Sequence, residues 1–166
     1  MYKRIFGLAL AAASSAAVAQ TSAWQFYQPE GGTLQAFVVS KGGEQFILKC
    51  DKPGKRKVFS VLVVNTNLVP PLPDDQFESG EVLVRFDQNA AWDDNWRFND
   101  KFAMAVNQGN VRSLTRLLEK LDGASEMEVV LKPIQRSPTT ASFNVAGSRE
   151  AIEKVYASCK DELPLD

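Results

Sequence analysis

Short apolar runs with a two-residue period, separated by turn residues, occupy most of the chain from Trp24 to Val145. No other feature limits its folding as tightly. Successive side chains of a strand point to opposite faces, so such runs bury their apolar half by forming an antiparallel sheet with one solvated side. Trp24 to Tyr27 reads as a first short strand, and Gly31-Gly32 as a turn into a second strand, Thr33 to Val39. Gly42-Gly43 turns the chain into Gln45 to Cys50, where Phe46, Leu48 and Cys50 share a face, and Lys52-Pro53-Gly54-Lys55 makes another tight turn. With the Val-rich segment Lys57 to Asn65, residues 33 to 65 read as a three-stranded meander.

Thr66 to Gly80 carries Pro70, Pro71 and Pro73, a density that neither helix nor sheet ladder tolerates, and is expected to be a long connection. Glu81 to Asp87 alternates again, with Val82, Val84 and Phe86 on one face. Gln88 to Asp100 reads as a polar loop containing tryptophans, while Lys101 to Val106 fits strand and helix equally well. Asn110 is placed to cap a helix whose residues Val111, Leu114, Leu117, Leu118 and Leu121 fall at 3.6-residue spacing, with Asp122-Gly123 ending it. Glu126 to Ile134 and Thr140 to Val145 read as strands. Ser148 is placed to cap a last helix with Ile152, Val155, Tyr156 and Cys159 in one stripe. The class expected is α+β: an antiparallel sheet or sandwich with two helices packed at one side.

At the N-terminus, Lys3 and Arg4 precede an uncharged run from Ile5 to Val18 that closes on Ala17-Val18-Ala19. This is the charged, apolar and small-residue order of a secretory signal peptide over residues 1–19, and the run is short of the ~20 residues a membrane span needs. Residues 20–166 then form a single globular domain that does not span a membrane, long enough to bury about two thirds of its unfolded surface. The only two cysteines are Cys50 and Cys159. An even count in an exported chain favours a bridge, which ties the last helix to the end of a meander strand.

Composition closes off much chemistry. The chain has no His, so the commonest general base, nucleophile activator and transition-metal ligand are all missing. Ser-Lys catalysis finds no S-x-x-K, and no phosphate-cradling glycine motif is present. With 19 basic against 20 acidic residues, nothing draws the chain to nucleic acid. Carboxylates near sugar-stacking aromatics, Asp87, Asp93 and Asp94 beside Trp92 and Trp96, keep glycan binding or hydrolysis in view. The same segment departs from an EF-hand at its third ligand and its glycine, where Ala91 and Trp92 stand, so no metal or other cofactor is expected. Lys49, Lys52, Lys55, Arg56 and Lys57 make a basic hairpin tip suited to an acidic partner, and Val69 to Pro73 an extended proline surface.

The ending Phe143-x-Val145-x-Gly147 followed by Ala151-Ile152, Val155 and Cys159, with Cys50-Asp51 closing an early strand, resembles small exported bacterial proteins. These are proteins of the invasion-associated locus B kind and the periplasmic accessory proteins associated with type VI secretion. The resemblance implies a β-rich body finished by a strand, a Gly-containing turn and a helix with a bridged cysteine, and it carries over no catalytic residue. The function expected is therefore a periplasmic or secreted accessory protein that contacts an envelope or secretion-system partner. Trp92, Trp96, Asp93, Asp94, Lys55, Arg56 and Lys57 are its candidate contact surface. A carboxylate-based glycan hydrolase and a loop-inserting inhibitor of an envelope enzyme are the alternatives.

Overall fold

A computed structural model describes residues 23–50, 57–73 and 76–165. The signal segment 1–19 and the centre of the basic tip, with Lys52, Lys55 and Arg56, lie outside the described residues. In chain order the elements are β1 (Gln25–Tyr27), β2 (Gln35–Val39), β3 (Gln45–Lys49), β4 (Phe59–Val63), β5 (Glu78–Phe86), β6 (Trp92–Asn99), β7 (Phe102–Ala105), the two-residue strands β8 (Asn107–Gln108) and β9 (Val111–Arg112), α1 (Ser113–Leu121), β10 (Glu126–Lys132), β11 (Thr139–Asn144) and α2 (Ser148–Cys159). Nine strands form one sheet in the order β1-β2-β3-β4-β7-β6-β5-β10-β11, antiparallel throughout, and β8 pairs with β9 as a separate hairpin. The expected meander is β2-β3-β4.

The sheet curls until its far edges meet, as strand twist accumulated over nine strands allows. Trp24 Nε1 donates to the Val145 carbonyl at 3.1 Å, and the Phe46 and Phe143 rings lie 6.2 Å apart between centroids. One continuous core fills the concave side. It takes Val38, Phe46, Leu48 and Leu62 from the meander, Val82, Val84 and Phe98 from the middle, and Val129, Leu131 and Phe143 from the last two strands. The helices add Leu114, Leu117, Leu118 and Leu121 from α1, and Ile152, Val155, Tyr156 and Cys159 from α2. Gly80 faces Trp96 across β5 and β6, and a Cβ there would stand 2.0 Å from the Phe98 ring, so the bare backbone makes room for that ring.

Cys50 and Cys159 form the expected disulfide, with a Cα–Cα distance of 6.2 Å. Around it Thr33 Oγ1 donates to the Cys50 carbonyl at 2.8 Å, and the Leu34 amide donates to Ser158 Oγ at 2.8 Å. The end of α2 is thus pinned to β2 and β3 by one covalent bond and neighbouring hydrogen bonds. No helix among the described residues is long and apolar enough to cross a membrane.

Three local readings are corrected. Residues 92–99, expected within a polar loop, form β6, because Asp94 occupies an inward position that alternation reserves for apolar residues and so hides the period. The first helix begins at Ser113 instead of following an Asn110 cap: Gly109, at φ 57°, turns the chain into the β8–β9 hairpin, and Val111 is left exposed. Capping of that helix comes from outside it, since Asn107 Oδ1 accepts the Thr115 amide at 3.1 Å. Ser148 is the first residue of α2, after Gly147 at φ 81°, and its hydroxyl donates to the Leu121 carbonyl at 2.6 Å, joining the two helices.

Candidate functional site

The contact residues expected from sequence do not converge. Trp96 is 2% exposed in the core, so it presents no surface to a partner. Trp92 is half-buried and stacks on Phe86 at 5.7 Å between ring centroids. Both indole N–H groups are buried without a hydrogen-bond partner among the described residues. Asp93 and Asp94 are consecutive strand residues and point to opposite faces, which prevents them from flanking one glycosidic bond. Asp93 is exposed. Asp94 is buried and accepts hydrogen bonds from Arg116 Nη2 at 2.9 Å, Ser113 Oγ at 3.0 Å and the Asn95 amide at 2.8 Å. Asp87 is a turn acceptor for the Ser125 and Glu126 amides at 3.1 and 2.9 Å. Among the described residues no group of His, Cys, Asp and Glu gathers that could hold a metal ion.

Of the basic tip, Lys57 is described and exposed, with Nζ 3.0 Å from Asp161 Oδ1. The hydrogen bond and charge of Asp161 hold its ammonium above the ordinary lysine pKa. Asp161 also accepts the Val58 amide at 2.8 Å, so the chain beyond the disulfide is fastened to the start of β4. The proline segment is held flat: the Leu68 amide donates to the Asp100 carbonyl at 2.6 Å, and Leu72 exchanges hydrogen bonds with the Asn99 side chain at 2.9 and 3.1 Å.

A different surface has the properties of a site. The convex side of β4 and β7, at the middle of the sheet, carries apolar residues where a half-solvated sheet presents polar ones. Phe59 and Val61 on β4 and Phe102 and Met104 on β7 point outward, and Val61 and Met104 are direct cross-strand partners. They floor an open groove of about 1090 Å³, walled by Pro71, Leu72 and Phe77 on one side and by Val106, Asn107 and Gln108 at the β8 end. Phe102 is 42% and Phe77 36% exposed. A second groove continues past Arg97 and Met104 to Arg112 and Arg116 beside α1.

Cations stand on the two banks. Lys49 Nζ lies 5.8 Å from the centroid of the Phe59 ring, and the Arg97 guanidinium 5.7 Å from that of Phe77. Arg97 also donates to the Gln108 amide oxygen, so both its named partners are neutral. The arrangement can desolvate an apolar ligand surface while meeting negative charge at the Arg97 end. Apart from Lys49, which sequence places in the basic tip, sequence reading passes over these residues, although the signal is present: Phe59-Ser60-Val61-Leu62-Val63 is almost uniformly apolar, and so fills both faces of its strand.

Comparison of the chain with protein-family models, curated proteins and solved structures finds no match. The surface itself is therefore the guide to function.

Proposed function

We propose that this protein is an exported binding protein that works in the periplasm or outside the cell, engaging an envelope or secretion-system partner through the convex groove. The observation that carries the reading is the apolar floor of Phe59, Val61, Phe102 and Met104 on a sheet whose other face already holds the core. Phe102 and Phe77, each more than a third exposed, leave apolar surface in this groove open to a partner. The buried Cys50–Cys159 bridge, which belongs to oxidising compartments, and the signal-like order of residues 1–19 support export. The accessory role is the one implied by the small exported proteins that the C-terminal strand, turn and helix resemble.

The test places a photo-crosslinking amino acid at Phe102, and as a control at the exposed Asp93, in cells that export the protein. A discrete envelope adduct from position 102 alone, lost on Arg97→Glu, is expected. No adduct at 102, or the same adducts from both positions, would refute the reading. Recovery of a form starting at Gln20 from the osmotic-shock fraction checks export, and an intact chain confined to the cytosol overturns that part.

A further inference from the structure

We infer that the open edge of β11 is a second binding site, which takes an extended segment of a partner protein as an added strand. It is independent of the convex groove. β11 ends the sheet order and pairs only with β10. Hydrogen-bonded and non-hydrogen-bonded residues alternate along an antiparallel pair, so one bond sets the pattern for the whole strand. The Val145 amide donates to the Ser125 carbonyl at 2.8 Å, which continues the β10–β11 register by one pair. Thr139, Ala141 and Phe143 therefore turn their main-chain groups to β10, and Thr140, Ser142 and Asn144 turn theirs to the open edge. The other side of β10 agrees: the Asp87 amide donates to the Glu126 carbonyl at 3.1 Å, which commits the even-numbered residues of β10 to β5 and leaves Met127, Val129 and Leu131 for β11. Among the described residues, no hydrogen bond reaches the N–H or C=O of Thr140, Ser142 or Asn144 across that edge.

Strand edges that must stay unpaired are blunted by charge, proline, a bulge or a very short length. β11 has none of these. Thr139-Thr140-Ala141-Ser142-Phe143-Asn144 is uncharged, lacks proline, and keeps an unbroken register with β10. The opposite edge strand, β1, has only three residues. The curl of the sheet closes at Val145, where Trp24 Nε1 donates, and opens along β11 into a cleft of about 640 Å³. The far bank of that cleft is the end of β2 and its turn, Val39 to Gly42. β1 pairs with β2 only as far as Phe37, so Val39 has a strand partner in β3 alone.

The edge commits its occupant to extended main chain. Three alternate residues offer N–H and C=O groups at a repeat of about 7 Å, which is that of a strand, whereas a helix has no main-chain groups to spare for them. Ala141 and Phe143 lie on the core side of the edge and Thr140, Ser142 and Asn144 on the solvent side, so the segment alternates apolar and small polar residues. A second copy of this chain is the competing occupant. Pairing β11 with itself would set the copy's β10 about 10 Å from β11, on the side where Val39 to Gly42 stand, while a single strand needs only the cleft.

The experiment uses oxidised, isotope-labelled protein lacking residues 1–19, the peptide Lys-Thr-Val-Thr-Val-Thr-Val-Lys, and amide hydrogen exchange read residue by residue. Two comparison peptides are N-methylated, one at every Thr and one at every Val. Without peptide, the amides of Thr140, Ser142 and Asn144 should exchange rapidly and those of Ala141 and Phe143 slowly. Antiparallel pairing sets the peptide's Thr opposite Thr140, Ser142 and Asn144 with their N–H groups toward β11. The parent and the Val-methylated peptide should therefore slow the three fast amides about tenfold or more, and the Thr-methylated peptide should not. Ser142→Pro removes one edge donor and no bond to β10, and should weaken peptide binding about tenfold. If that variant unfolds more readily than wild type, the methylated peptides on wild type decide. No protection by the parent peptide, or equal action of the two methylated peptides, would overturn the inference. So would protection of the three amides without peptide; its loss on dilution would assign the edge to a second copy.

Discussion

Reduction of the Cys50–Cys159 bridge should remove a large part of the stability of this fold. The two residues are 109 positions apart, so the bridge closes most of the described chain into one loop in the unfolded state. In the chain-entropy treatment a loop of about 110 residues is worth about 4.8 kcal/mol at 25 °C. Domains of this size have total stabilities of about 5–15 kcal/mol, so the bridge supplies between about a third and nearly all of that. Both cysteines are buried, and reduction leaves their sulfur atoms in place, which isolates the crosslink from cavity effects. The assay is equilibrium urea unfolding of oxidised and reduced protein, followed by the fluorescence of the buried Trp24 and Trp96. With a slope of about 2 kcal/mol/M, the midpoint should fall by roughly 2 M, and the slope should rise because the open unfolded chain exposes more surface. A drop below about 0.5 M would refute the reasoning, by showing that the crosslink does not limit the unfolded chain as supposed.

Three further outcomes follow from the packing. Gly80→Ala places a Cβ 2.0 Å from the Phe98 ring and should cost about 1–3 kcal/mol in urea unfolding, with Gly80→Ala/Phe98→Leu recovering part of the loss if the clash is the cause. Asp94→Ala strips the acceptor shared by Arg116, Ser113 and the Asn95 amide and should cost about 1–3 kcal/mol, whereas Asp94→Asn keeps an acceptor and should cost less; equal losses would show that the charge alone matters. Burial, and then the charge of Asp161, raises the Tyr156 pKa above its ordinary value near 10. The folded state thus holds that proton more tightly than the unfolded chain, so stability is full below pH 10 and declines as pH rises above it. Tyr156→Phe should flatten the decline between pH 10 and 11, and an unchanged slope would assign the alkaline loss to other groups.

Residue order alone settles those parts of this protein that rest on local periodicity and on composition. The meander β2-β3-β4, the strands β5, β10 and β11, the inward stripe of α2 and the Cys50–Cys159 pairing were all legible, because each depends on which side of an element is apolar or on there being only two cysteines. Tertiary structure decided the rest. It drew residues 92–99 into the sheet by supplying Arg116 and Ser113 to a carboxylate on the core side, and it moved the start of α1 by supplying Asn107 as a distant cap. It also made the groove, since Met104 and Arg97 come beside the Lys49–Phe59 pair only when β7 is inserted beside β4 and β6 beside β7. Periodicity reports the two faces of a strand but not which strands lie side by side. That pairing is fixed by where a curled nine-stranded sheet can bury its inner face, and it determines which outward apolar residues are gathered into one surface.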